Sequence, residues 1–165
     1  MRTRALYTII DADTKAQPAR PAIDKWGVAR PAVKASKGDA WNVYIHGNGY
    51  PTGAAAYVLG AQLFAWDLPW FEADEFAAAL CASAKQGIKG GNARFMPQGK
   101  PLAVAARHCA DIEYRYEIRG TGVKAYSVNA WGKGKATEHL LFKCSLAEFT
   151  ATAKEWEELE ERTAV

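Results

Sequence analysis

The sequence predicts an α+β domain, an antiparallel sheet of about five strands with helices packed on one face, and three observations carry that expectation. Asp111 to Arg119 alternates without a break, with Ile112, Tyr114, Tyr116 and Ile118 on one side and five charged residues on the other. Period two over such a length is the mark of a half-buried strand. Two stretches, Thr52 to Phe64 and Glu72 to Gly87, repeat apolar residues at helical spacing instead. Glycine-marked turns, Gly120-Thr121-Gly122 and Trp131-Gly132-Lys133-Gly134-Lys135, separate the later strands by hairpin distances.

Taken in order, Ala5 to Ile10 is a short β-rich run. Asp11 to Asp39 is rich in Pro, Ala and Lys, and Pro18, Pro21 and Pro31 forbid a long helix or a central strand there. It reads as an extended excursion, pinned to the body by Trp26 or Val28. Trp41 to His46 is the next strand. In the first helix Ala54, Tyr57, Val58, Ala61 and Phe64 share a face, and Trp66 to Trp70 breaks it. The second helix carries Glu72, Asp74 and Glu75 in its first turn, where acids suit the helix dipole, and Phe76, Ala79, Leu80 and Ser83 along its stripe. Gly87 to Ala106 reads as a loop holding one short strand, Ala93 to Met96. Strands at 111–119, 123–130 and 138–144 follow. Ser145 and Glu148 then form a capping box for a last helix whose Leu146, Phe149, Ala153, Trp156 and Leu159 face inward.

With 165 residues the chain is expected to be a single domain, residues 1–165. Six Trp, seven Tyr and six Phe within 49% hydrophobic residues argue for a packed core and against disorder. Three widely spaced cysteines, Cys81, Cys109 and Cys144, form no Cys-x-x-Cys pair, which predicts buried thiols in a reducing compartment and no zinc site. No window approaches a membrane span and no signal peptide is visible, so a soluble, cytoplasmic protein is expected. The net charge of +3 is unevenly spread: +4 over 1–40, −4 over 41–84, +7 over 85–135 and −4 over 136–165. The basic block offers a phosphate-facing surface, but opposite charges pairing across the folded surface is the favoured explanation, because a nucleic-acid domain usually shows a more basic balance overall.

The candidate site centres on Trp41 to Gly53, a strand entering a glycine-rich corner that Pro51 turns into a helix. Period two sets Asn42, Tyr44 and His46 on one face, and the corner adds Asn48 and Tyr50. His46 is expected to support the turn, Asn48 and Tyr50 to bind. Lys89 and Arg94 flank Gly90-Gly91-Asn92, a loop able to cradle a phosphate, although it lacks the Walker spacing. Trp66 and Trp70, like Trp131, lie in turns, where Trp either covers a core edge or waits for a partner. His108 beside Cys109 is a weak nucleophile pair, because neighbours in a strand point to opposite faces. No catalytic, cofactor or metal motif stands out.

Tyr44-x-His46-x-Asn48-Gly49-Tyr50-Pro51, with Asp111-Ile112-Glu113-Tyr114-x-Tyr116 downstream, resembles a group of small bacteriophage and prophage accessory proteins. Their corner carries Asp where this chain has Asn48, which removes a possible catalytic carboxylate. The resemblance covers residues 40–145 and implies a mobile-element origin. It implies a phage- or prophage-encoded, non-enzymatic binding or inhibitor protein directed against host defence. The alternatives are a nucleotide- or phosphate-ligand-binding protein, as sponge or hydrolase, and a nucleic-acid-binding accessory protein. The expected partner is accordingly a host protein or a small phosphate-bearing ligand, with nucleic acid behind them, no membrane and no cofactor.

Overall fold

The computed structural model describes residues 3–21, 27, 29–86, 92–109, 111–129 and 135–153. Their architecture is α+β. Six strands form one sheet: β1 (Arg4–Ile10), β2 (Ala40–His46), β3 (Asn92–Met96), β4 (Tyr114–Arg119), β5 (Gly122–Asn129) and β6 (Thr137–Cys144). The order is β3-β2-β1-β4-β5-β6. Every neighbouring pair is antiparallel except β1 and β4, which run parallel with Tyr7 beside Tyr116. The sheet is therefore mixed and six-stranded, not antiparallel with about five strands. The parallel pair arises because the chain leaves β3 and returns to the central β1 by a crossover, which no local pattern encodes.

Helices cover both faces, which corrects the expectation of one. On the first face lie α1 (Pro51–Phe64), α2 (Ala73–Gln86) and α4 (146–153). They bury Ala5, Tyr7, Ile9, Val43, Ile45, Tyr116 and Ile118. Alanine dominates the inner sides of α1 and α2, so the two helices pack closely on each other and on the strands. Phe149 of α4 meets Tyr116 and Phe142 with ring centroids 5.8 and 6.2 Å apart. The Ser145–Glu148 box forms as expected, with Ser145 N–H on Glu148 and Glu148 N–H on the Ser145 hydroxyl. Trp156 and Leu159 lie outside the described residues.

The second face is covered by α3 (Pro101–His108), a helix inside the stretch expected to be loop. Leu102 and Ala105 pack there with Leu6, Tyr44, Cys109 and Ile112. Ile112 thus sits just before β4 and on the face opposite Tyr116, not in one stripe with it. The approach to α3 is held by polar bonds in the sheet: Thr8 donates to Asn42 at 2.9 Å, and Asn42 donates to the Gly99 carbonyl at 3.3 Å. Beyond α3 this face becomes a charged surface. Arg115, expected to be exposed, is only 5% exposed. It forms a two-pronged pair with Glu138 at 2.6 and 2.8 Å and lies 4.3 Å from the Tyr126 ring centre. Period two had chosen its face correctly, but a bidentate partner on β6 closes over it.

Between β1 and β2 the excursion is a two-stranded arm. Thr14, Gln17 and Arg20 exchange backbone hydrogen bonds with Ser36, Val33 and Arg30. Apart from Gly38 at its base, the described residues of the arm from 12 to 39 are exposed. Trp26 and Val28, expected to pin it, lie outside the described residues. The base is tied to the body by Asp11, whose carboxylate accepts the Ala73 N–H that opens α2, at 2.7 Å. Among the described residues no helix is long and apolar enough to cross a membrane.

Candidate functional site

The corner works by backbone geometry. Asn48 has φ 51°, a left-handed conformation that Asn tolerates better than most residues. Gly47 and Gly49 donate to the Thr3 carbonyl at 3.0 and 3.1 Å, and Tyr116 donates its hydroxyl to the Gly49 carbonyl at 2.7 Å. A Cβ on Gly49 would meet the Ala5 side chain and the Arg4 backbone at 2.9 Å, so only glycine passes here. Tyr50 is the residue that precedes α1, whose first turn opens at Pro51. The corner therefore divides its residues: Tyr50 goes with α1, and His46 with the opposite face.

On that opposite face His46 joins Tyr44, Arg94, His108, Cys109 and Asp111 around a cleft of about 470 Å3. Three elements build it. Tyr44 and His46 are alternate residues of β2, Arg94 lies beside Tyr44 in the β2–β3 register, and His108 and Cys109 end α3. The Arg94 guanidinium stands 5.2 Å from the Tyr44 ring centre, within cation–π range. Among the described residues it has no carboxylate partner. Asp111 is different, being held by an ion pair to Arg4.

Arg4 also fixes the histidine. Its Nε–H donates to His46 Nδ1 at 3.2 Å, and the Tyr44 hydroxyl lies 2.9 Å from the same nitrogen. A guanidinium N–H can only donate, so Nδ1 presents its lone pair and the ring proton sits on Nε2. The only basic nitrogen of His46 is thus already engaged, and the ring offers the cleft a donor. Burial, with Asp111 adding to it, pushes the Cys109 thiol up to about 11, so it stays protonated. Burial likewise raises the Tyr44 phenol above its ordinary value, again with Asp111 contributing. The cleft presents two imidazoles, one guanidinium and an aromatic face, donors that suit an anion, beside the Asp111 carboxylate, whose charge the Arg4 pair offsets.

Of the residues singled out from sequence, Tyr44, His46 and Arg94 come together. Asn48 and Tyr50 do not line this cleft. Lys89 lies outside the described residues, as do Gly90, Gly91 and Trp131. Trp66 and Trp70 sit at the far end of α1, about 20 Å of helix from the corner. There they are 76% and 60% exposed and line a separate groove with Pro69, Phe71 and Glu75. Sequence reasoning missed Arg4, Asp111 and the part of His108 and Cys109. A helix read through Pro101 to His108 would have placed the last two at an element end. Among the described residues no group of three His, Cys, Asp or Glu side chains is arranged to hold a metal ion. Comparison with family models, with curated proteins and with solved structures gives no match.

Proposed function

We propose that this chain is a non-enzymatic binding protein whose cleft at the His46 end takes a small phosphate-bearing ligand. The observation that carries the reading is Arg94, a guanidinium set over Tyr44 beside His46 and His108 with no carboxylate to satisfy it among the described residues. A phosphate oxygen accepts from such a fork, from His46 Nε2–H and from His108 in one geometry, while the Tyr44 ring offers a stacking surface for a base or similar ring. Binding is favoured over turnover because the groups that would do chemistry are occupied. His46 has no lone pair to spare, Cys109 is held as a thiol, and Asp111 is engaged by Arg4. The resemblance of the corner to phage accessory proteins supports a setting in which capturing a phosphate-bearing signal restrains host defence.

A thermal-shift panel tests this directly, since a ligand that binds only the folded state raises its melting temperature. Nucleoside mono-, di- and triphosphates, cyclic dinucleotides and inorganic phosphate form the panel. At least one member is expected to stabilise the native chain and to lose that effect in Arg94→Ala. A panel without any shift, or a shift unchanged by Arg94→Ala, contradicts the reading.

A further inference from the structure

The arm between β1 and β2 is not a β-ribbon. Its paired residues recur every third position, 14, 17 and 20 against 36, 33 and 30, where a β ladder repeats every second. Three residues per turn is the period of the polyproline II helix. The sequence carries the same period. One column reads Lys15, Pro18 and Pro21 on the outgoing chain and Pro31, Lys34 and Lys37 on the returning one. The next column is small: Ala16 and Ala19, then Ala32, Ala35 and Gly38. Gly38 shows why, since a Cβ there would run into the Asp11 carbonyl of the opposite chain. The Lys/Pro column is consequently a preformed edge, and Lys15-Ala16-Gln17-Pro18-Ala19-Arg20-Pro21 displays two prolines one turn apart with a lysine one turn before them.

Such an edge is recognised by a groove lined with aromatic rings and rimmed with acids. The molecule has one. Trp66, Trp70 and Phe71 line a cleft of about 520 Å3 together with Asp67, Glu72 and Glu75, in a block of the chain, 41–84, that contains no Lys or Arg. Arm and groove are both exposed in the single chain, so the groove does not hold its own arm. They lie at the same end of the molecule, because Asp11 at the base of the arm caps α2 just after the groove. Two elements at one end can be exchanged reciprocally between two copies about a two-fold axis.

We propose that the Lys15–Pro21 edge of the arm docks in the Trp66–Trp70 groove of a second copy of this chain, forming a reciprocal dimer. The proline rings stack against the indoles, and Lys15 faces Glu72 and Glu75, whose carboxylates also accept the Trp70 indole N–H and the Trp66 backbone N–H. Because the arm's two strands are already held together by the bridges at 14, 17 and 20, less conformational entropy is lost on docking than for a free segment.

Sedimentation of the full chain over a range of concentration and salt tests this, with circular dichroism confirming the fold of each variant. A reversible dimer that weakens with salt is expected. Trp66→Ala/Trp70→Ala and Pro18→Ala/Pro21→Ala are each expected to raise its dissociation constant roughly 30-fold. Mixing the two variants restores one intact arm–groove contact, so the mixture is expected to associate more tightly than either variant alone. A native chain that stays monomeric into the millimolar range overturns the proposal. A dimer held as tightly by both variants as by the native chain overturns it equally.

Discussion

At the His46 end of the β1–β2 hairpin, polar groups satisfy one another; at the Ile10 end the chain leaves its surface unspent. Arg4 bonds His46 and Asp111, Tyr44 reaches the same histidine, and Tyr116 ties the Gly49 carbonyl beneath the corner. At the other end the described residues of the arm expose their lysines, arginines and prolines, and the end of α1 with the turn after it exposes Leu63, Phe64, Trp66 and Trp70. The contrast fits the two proposals made above. On the proposed function, a pocket for a small anion is preorganised, with its neighbours locked and Arg94 and the imidazoles left to be used. A surface for a large partner is left open, because its apolar groups are covered only on association.

The sharpest way to break the comparison is to disturb the locked end. Gly49→Ala forces a Cβ against Ala5 and the Arg4 backbone. It is expected to cost about 3 kcal/mol in urea unfolding, at the upper range for overpacking; a loss near zero would mean the corner yields freely. Tyr116→Phe removes the hydroxyl bonded to Gly49 and is expected to cost about 1–2 kcal/mol. Its stacked neighbour is the control: the Tyr7 hydroxyl is buried without a partner among the described residues, so Tyr7→Phe is expected to leave stability unchanged or slightly raised.

The thiol at the cleft sharpens the comparison through pH. Cys109 is raised from 9.0 to about 11 in the folded chain, with burial the main cause and Asp111 second. A raised folded pKa favours folding fully below pH 9 and loses that contribution as pH rises towards 11. Stability is therefore expected to fall across that window, and Cys109 to resist alkylation at pH 9, where an ordinary thiol reacts. Rapid labelling of Cys109 at pH 9 would show the cleft to be more open than its packing implies. The smallest effect belongs to the open end. Trp66→Ala with Trp70→Ala, measured at concentrations where the chain is monomeric, is expected to shift stability by less than about 0.5 kcal/mol. A larger loss would make those rings part of the core.

How much of this was legible in the sequence varies by element. Periodicity located β2, β4, α1 and α2 within a few residues, because burial of one face leaves a period that needs no tertiary knowledge, while a β-rich run gave β1 and glycine-marked turns gave β5 and β6. The helix α3 was hidden by the glycines and prolines around it, although Pro101 at its start and Arg107 and His108 in its last turn are helix signals. The parallel β1–β4 pair was not legible, since strand order depends on contacts far apart in the chain. Arg115 shows a subtler failure, as its pattern marks a polar face but not the Glu138 that closes it. The arm shows another: its prolines were read only as obstacles, while their period of three was the informative feature. In the cleft, Tyr44 and His46 followed from strand alternation and Arg94 from its place beside a glycine-rich loop, whereas Arg4 and Asp111 needed the fold. At the corner Asn48 takes the left-handed turn and His46 lines the cleft, placements that alternation alone did not give.

The central claim, that anion binding belongs to the locked end and not to the more numerous cations of the arm, is open to one direct measurement. Titrating inorganic phosphate into isotopically labelled protein, with NMR resonances of the histidine rings and arginine Nε–H groups followed together, reports both ends at once. Saturable shifts at His46, His108 and Arg94, with only shallow, non-saturating drift at Arg20 and Arg30, are the expected result. Saturation at the arm arginines with an unmoved cleft would contradict the account.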